Sequence, residues 1–344
     1  VITIAESSSP GTGRVEMGAG RGGAEVTAAG AHGASAGPAP PLTRESDSRR
    51  RDRRPRRPLE RTMARAGMLL VAPAVVYVLV FQIVPVLYGL VLSFTEYTPL
   101  QRGAPTFVGL SNYADLLADG GFRNALWVTA RYTLQVLPPT VVIALVLAML
   151  ANRPFRGVGL FRSALYVPHI VSLTAVSMIW LWMYSQNGLF NDILATFDLS
   201  PQKWLNDPAT ALNGVSVMRI WKALGSNMVL LLAGLQTIPR HLYEAASIDG
   251  AGAWHRFRHV TLPGLRPMLV YVVATDIIYL SQSFAEIFVL TSGGPMNSTT
   301  TVNYLIYTEA FEYSSMGSAS AMAFVLFAFI AGLTLIALRG GRER

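Results

Sequence analysis

The chain has 344 residues, 51% hydrophobic and only 14% charged, with a mean hydropathy of +0.38; that balance excludes an ordinary soluble domain and describes one polytopic membrane domain. The absence of cysteine excludes a disulfide framework, a thiolate metal site and a cysteine nucleophile. The net charge of +8 sits mainly on one side of the expected membrane spans, which argues against a nucleic-acid partner.

Residues 1–62 come first and are expected to form a disordered cytoplasmic tail. They are rich in Gly, Ala, Ser, Pro and Arg, and no apolar run there is long enough to offset the entropy of ordering. No apolar segment of the secretory-signal kind lies near Val1, and an initial Val makes Met17 or Met63 an alternative start. The arginine cluster at 49–57 is read as fixing the orientation of the first span.

From residue 63 to 344 a six-span domain is expected, with apolar runs at 67–94, 125–150, 161–184, 214–238, 268–290 and 318–338. At about 1.5 Å per residue each run covers roughly 30 Å, the thickness of a hydrocarbon core. The runs are apolar on nearly every face, so they read as helices and not as strands of a transmembrane barrel. Pro85 and the pair Pro138-Pro139 lie inside runs and predict kinks in the first and second helices.

Basic residues accumulate on the cytoplasmic side of a membrane, so the connections orient the bundle. Segments 49–66, 151–162, 239–267 and 339–344 hold nine, three, four and three Lys or Arg residues. Segments 95–124, 185–213 and 291–317 hold two, one and none. Both termini are therefore expected inside, in a multi-pass protein of a bacterial inner membrane, and the polar loop 240–267 is expected to face the cytosol.

That loop is the most informative segment. Leu242, Ala245 and Ala246 would give a short helix a small apolar face, with the carboxylates of Glu244 and Asp249 offered to a partner. Gly250 and Gly252 are expected to end it in a sharp bend, since glycine accepts the positive φ of a helix C-cap. A second helix would follow, with Trp254, Phe257 and Val260 as a stripe against the span ends, and Thr261-Leu262-Pro263 would stop it before the fifth span. The plainer reading is a loop that only joins two spans.

Glu244-Ala245-Ala246, three residues, Gly250, nine residues and then Val260-Thr261-Leu262-Pro263 resemble the EAA signature of binding-protein-dependent ABC importer permeases, with Val where Ile is usual. From about residue 66 to 338 the chain is similar to the MalF-like branch of carbohydrate permeases. Leu290-Thr291-Ser292-Gly293-Gly294-Pro295, Asn297-Ser298-Thr299, Ile306-Tyr307 and Ala310-Phe311 carry that likeness between the last two spans. Arg131 departs from it, standing where small polar residues are usual. The resemblance implies an all-α, six-helix bundle of the type I importer permease kind, with a cytoplasmic coupling helix between helices four and five. It also implies a second, different permease subunit, a cytoplasmic ATPase dimer docked on the coupling loop, and an extracytoplasmic solute-binding protein that delivers sugar. On that pattern Glu244 pairs with a basic residue of the ATPase, while Gly250 makes the bend.

The chain has two lysines, Lys203 and Lys222, and neither lies in a glycine-rich phosphate loop, so ATP and Mg are expected on the partner ATPase and no cofactor on this chain. No catalytic motif is apparent.

Ionisable groups inside a span cost about 2.5 to 3.5 kcal/mol each and usually face a cavity or a partner. Asp276 and Glu286 meet that description, either as sugar or gating contacts or as bundle ties to Arg131, Arg219 or Lys222. Asn227 and Gln282 line the pathway on one reading and make interhelical hydrogen bonds on the other. Trp180 and Tyr184, four apart, would stack on a sugar ring or belong to the interfacial aromatic belt, the second being favoured. His255 and His259 have helical metal spacing without a third ligand.

These readings lead to a permease subunit of an ATP-driven carbohydrate importer, for an oligosaccharide, a disaccharide or a polyol derivative. The alternatives are an ion-coupled secondary transporter using Asp276 and Glu286, and a membrane scaffold without a transport role.

Overall fold

The computed structural model describes residues 58–99 and 104–342, and all but a two-stranded ribbon of its regular structure is helical. The expected tail lies outside the described residues as far as residue 57. Helix α1 (Pro58–Val78), a π turn at Leu79–Ile83 and α2 (Val84–Ser93) make up the first apolar span, Gly67–Ser93. The π turn stands where Pro85 can return no hydrogen bond to Phe81, so one widened turn accommodates the missing donor.

Strand β1 (Thr95–Glu96) pairs antiparallel with β2 (Thr106–Phe107), Thr95 opposite Phe107. After α3 (Ser111–Ala118), the second span is α4 (Gly120–Ala151), which starts five residues earlier than expected because Asp119 caps it. The Asp119 carboxylate accepts from the Phe122 amide at 2.7 Å, satisfying a first-turn donor. Pro138 and Pro139 lie inside α4, which runs on as a single α-helix through both.

The buried face of α4 recurs every three or four residues through Phe122, Ala125, Thr129, Tyr132, Val136, Thr140, Ala144, Ala148 and Ala151. Thr129, Thr133 and Thr140 return their hydroxyls to the carbonyls four residues back at 2.7 to 2.9 Å, so their burial leaves no polar group unpaired.

The third span is not one helix. Helix α5 (Val158–Ile170) and α6 (Leu173–Met183) meet at 96° across Val171 and Ser172, where Val171 is extended. Short α7 (Leu189–Thr196) leads to the fourth span, α8 (Ala211–Thr237). At Gly225 an added Cβ would meet the Leu165 carbonyl, so this glycine lets α5 and α8 approach backbone to backbone.

Helix α9 (Arg240–Ile248) is followed by α10 (Ala253–Arg256), a π turn at Phe257–Thr261 and α11 (Leu262–Ser281). The last three are one continuous apolar helix, Ala253–Ser281, so Thr261-Leu262-Pro263 does not stop a helix before the fifth span. Pro263 lies in the first turn of α11, and the π turn before it takes up its lost donor. The fifth span ends earlier than expected, at Ser281, and α12 (Ala285–Leu290) is separate. Helix α13 (Val302–Tyr307), a π turn at Thr308–Glu312 and α14 (Met316–Arg342) complete the chain.

Among the described residues five helices are long and apolar enough to cross a membrane, or six spans if the bent pair counts as one. Ala144, Ala148 and Ala151 of α4 pack against Met228, Leu231 and Leu235 of α8, and Leu265 and Val272 of α11 join them. A second core gathers Tyr132, Trp180, Tyr184, Leu212, Met218 and Ile287; a third joins Phe122, Val302, Met322 and Leu326. The Arg266 guanidinium donates to the Gly340 carbonyl at 2.9 Å, which brings the 239–267 connection and the end of α14 to the same end of the bundle.

Candidate functional site

Two places concentrate the candidate residues, the elbow between α8 and α11 and a polar cavity between the middles of those helices.

The elbow is built from α9, a tight turn and α10. The Gly250 amide donates to the Ser247 carbonyl at 3.1 Å and the Ala251 amide to the Ala246 carbonyl at 2.9 Å, the paired bonds of a Schellman cap. Gly250 has φ of +75° as that cap demands, whereas Gly252 has φ of −66° and opens α10 as its N-cap. Only one of the two glycines is therefore needed for a left-handed backbone.

The Tyr243 hydroxyl meets that of buried Thr261 at 3.1 Å, and Arg256 donates to the Ser247 hydroxyl at 3.0 Å, so α9 is tied to the continuous fifth helix. Tyr243 and Val260 pack against the α4–α8–α11 core. The outer side of the elbow is left bare: Ile248 is 86% exposed and Trp254 71%, with Glu244, Ala245 and Asp249 beside them. Trp254 thus stacks on Phe257, centroids 5.5 Å apart, and does not pack under the spans as expected. Within the described residues neither the Glu244 nor the Asp249 carboxylate has a partner. Leu262 and Pro263 lie exposed on α11, while Ala246 is half-buried.

A Cβ added at 250 would meet no atom within 4 Å, so the cost of a side chain there comes from the left-handed backbone, about 1 to 2 kcal/mol or more for a β-branched residue. Gly250→Val is expected to abolish transport in an uptake assay while Gly250→Asn, which tolerates the left-handed region, keeps most of it. Equal activity of the two would show that the cap is dispensable.

In the cavity, of about 430 Å³, Asn227 of α8 and Asp276 of α11 come together, the Asn227 amide donating to the Asp276 carboxylate at 2.6 Å. Arg219, Lys222, Ser226, Thr275, Tyr271 and Tyr279 share its wall. Sequence reasoning missed Ser226 and Thr275, each adjacent to a polar residue it did select; that adjacency was the available signal.

Glu286 is elsewhere. It is 1% exposed, accepts from the Tyr132 hydroxyl at 3.1 Å and lies 3.9 Å from the Arg219 guanidinium, so of its two readings the bundle tie is what forms, with Arg219 and not Arg131. Among the described residues Lys222 pairs with no carboxylate. Its ammonium donates to the carbonyls of Pro168, His169 and Val171 at 2.9, 3.4 and 2.6 Å, the groups left open where the third span breaks.

Trp180 and Tyr184 do not form an interfacial belt. Both are buried, in ring contact with each other and with Phe190, and Tyr184 donates to the Gly214 carbonyl at 2.8 Å. Packing of α6 on α8 and α12 turns them inward, away from the Asp276 cavity. Gln282 also lies apart, exposed beside α14, its carbonyl accepting from Asn303 at 2.8 Å. His255 and His259 stack at 4.0 Å, with His259 Nδ1 at 3.0 Å from the His255 carbonyl.

Residues 116–339 match the family described as "Binding-protein-dependent transport system inner membrane component". The chain is 34% identical over 285 residues to the trehalose/maltose transport system permease protein MalF of Thermococcus litoralis, covering 82% of this chain and 95% of that one. It is 36% identical to the lactose transport system permease protein LacF of Rhizobium radiobacter, covering 81% and 94%, and 36% identical to the arabinooligosaccharides transport system permease protein AraP of Bacillus subtilis, covering 80% and 88%. A crystal structure of a bacterial ABC transporter that imports the acidic polysaccharide alginate shares the fold, with a TM-score of 0.71 at 22% identity over 83% of this chain and 96% of that one.

Proposed function

Since the chain belongs to the family of binding-protein-dependent transport system inner membrane components, we propose that it is a carbohydrate permease subunit that works by alternating access. Relatives named for trehalose/maltose, lactose and arabinooligosaccharides support a substrate among oligosaccharides or disaccharides. The observation that carries the mechanism is the elbow, whose apolar and acidic face is bare although its other side is bonded to the fifth helix.

In this reading an ATPase dimer grips α9 from the cytosol, with ATP and Mg on the ATPase and none on this chain. A push on α9 passes through Tyr243 and Arg256 into Ala253–Ser281, and because that helix is unbroken the displacement reaches Asp276. A second permease subunit closes the open side of the cavity, and an extracytoplasmic solute-binding protein delivers the sugar. The charge asymmetry of the connections supports cytosolic termini.

Within the cavity the Asp276 carboxylate keeps accepting capacity after its bond to Asn227, and Tyr271 and Tyr279 offer rings and hydroxyls. Those groups suit a polyhydroxylated substrate. The ion-coupled alternative loses its second carboxylate, because Glu286 is buried, accepts from the Tyr132 hydroxyl and does not line the cavity.

The test is uptake by the complex reconstituted in liposomes with its ATPase and binding protein. ATP inside the nucleotide-accessible compartment should drive uptake, and collapse of proton and sodium gradients should leave it unchanged; gradient dependence without ATP dependence would overturn the reading. Asp276→Leu should lower uptake roughly tenfold to a hundredfold, the loss of one or two charge-assisted hydrogen bonds. Its melting temperature should stay near that of the parent chain. A collapse of melting temperature in parallel would make Asp276 a tie of the bundle.

A further inference from the structure

A cluster of positive charge lies in a cavity of about 610 Å³ where α4 ends and α5 and α9 begin. Arg153, Arg162 and Arg240 line it together with Asn152, and no carboxylate does. Arg162 is half committed: one terminal nitrogen donates to the Ala151 carbonyl at 2.7 Å, while its Nε is buried without a partner. Arg153 and Arg240 are exposed and unpaired within the described residues. The first residue of α5, Val158, belongs to the wall, and neither α5 nor α9 has a side-chain cap at its N-terminus. The two helix starts add the partial positive charge of a helix N-terminus.

The same wall carries apolar side chains, Leu235 and Ile238 at the end of the fourth span and Val158 at the start of the third. A cavity at the ends of spans that joins guanidinium groups to apolar side chains suits a lipid's phosphate and upper acyl region. We propose that this cavity is a binding site for the phosphate of an anionic phospholipid headgroup, held by Arg153, Arg162 and Arg240 beside the elbow. The same chemistry would take a soluble phosphate; the apolar side chains in the wall and the position at the span ends select the lipid. Such a lipid would clamp the 152–157 connection to the start of α9, and so set how freely the elbow moves.

The test is native mass spectrometry of the full chain in detergent, titrated with phosphatidylglycerol or phosphatidylcholine, with inorganic phosphate as competitor. One phosphatidylglycerol per chain should bind saturably and in preference to phosphatidylcholine. Arg153→Gln with Arg240→Gln should weaken it roughly thirtyfold, and Arg153→Gln alone about fivefold. The doubly Lys-substituted chain should retain most of the binding. Arg162 is left in place because it holds the Ala151 carbonyl. Unchanged lipid binding in the double Gln chain would overturn the site, and full displacement by inorganic phosphate would overturn the lipid as its occupant. If the parent chain binds no lipid and the double variant instead loses co-purification with the ATPase, the cavity is part of the ATPase dock and the proposal fails. None of these readouts depends on transport.

Discussion

Glu244→Lys is expected to stop uptake and to uncouple ATP hydrolysis from substrate while leaving the chain inserted and folded. The carboxylate is exposed on α9 and bonds to nothing within the described residues, so the fold loses no interaction when it is reversed. Lysine and glutamate have nearly the same helix propensity, so α9 itself should persist. On the proposed docking the whole effect falls on the ATPase, where losing one side of a desolvated charge pair costs about 2 to 5 kcal/mol and a like charge costs more. That is a thirtyfold or greater loss of docking. Co-purification of the ATPase and substrate-stimulated hydrolysis are the measurements, with the melting temperature as control. Normal stimulated hydrolysis in the variant would place the coupling contact elsewhere.

Lys222→Met should act through the fold instead. Three carbonyls at the junction of α5 and α6 depend on one buried ammonium, and the methionine thioether has no donor to replace it. Each orphaned acceptor costs about 1 to 3 kcal/mol, partly offset because the variant no longer buries a charge, so a net loss of about 3 kcal/mol is expected. Thermal unfolding in detergent and the yield of monodisperse protein should both fall. An unchanged melting temperature would mean that Pro168 and the close approach at Gly225 hold the 96° bend without the lysine.

The two substitutions also mark how far each kind of reading reaches. Glu244 was legible because a local pattern carries it: small residues, a carboxylate and a glycine at fixed spacing describe a capped helix whichever tertiary structure surrounds them. Lys222 was visible only as a charge inside an apolar run. Its partners are more than fifty residues away and are carbonyls, which every residue possesses and no pattern distinguishes. The break itself had a cue in Pro168, but an apolar run of the right length outweighed it. The stop expected at Thr261-Leu262-Pro263 failed for the converse reason: a proline in a first turn breaks nothing, and the π turn absorbed the rest.

Hydropathy and the spacing of the elbow residues were enough to determine a helical membrane domain, the order of its spans and a capped helix between the fourth and the fifth, because each is a property of neighbouring positions. Which polar side chains meet was decided only in three dimensions. Asn227 and Asp276 share a wall, Glu286 turns to Tyr132 and Arg219, and Trp180 and Tyr184 face inward, since the rotation of each helix about its axis is set by packing against neighbours.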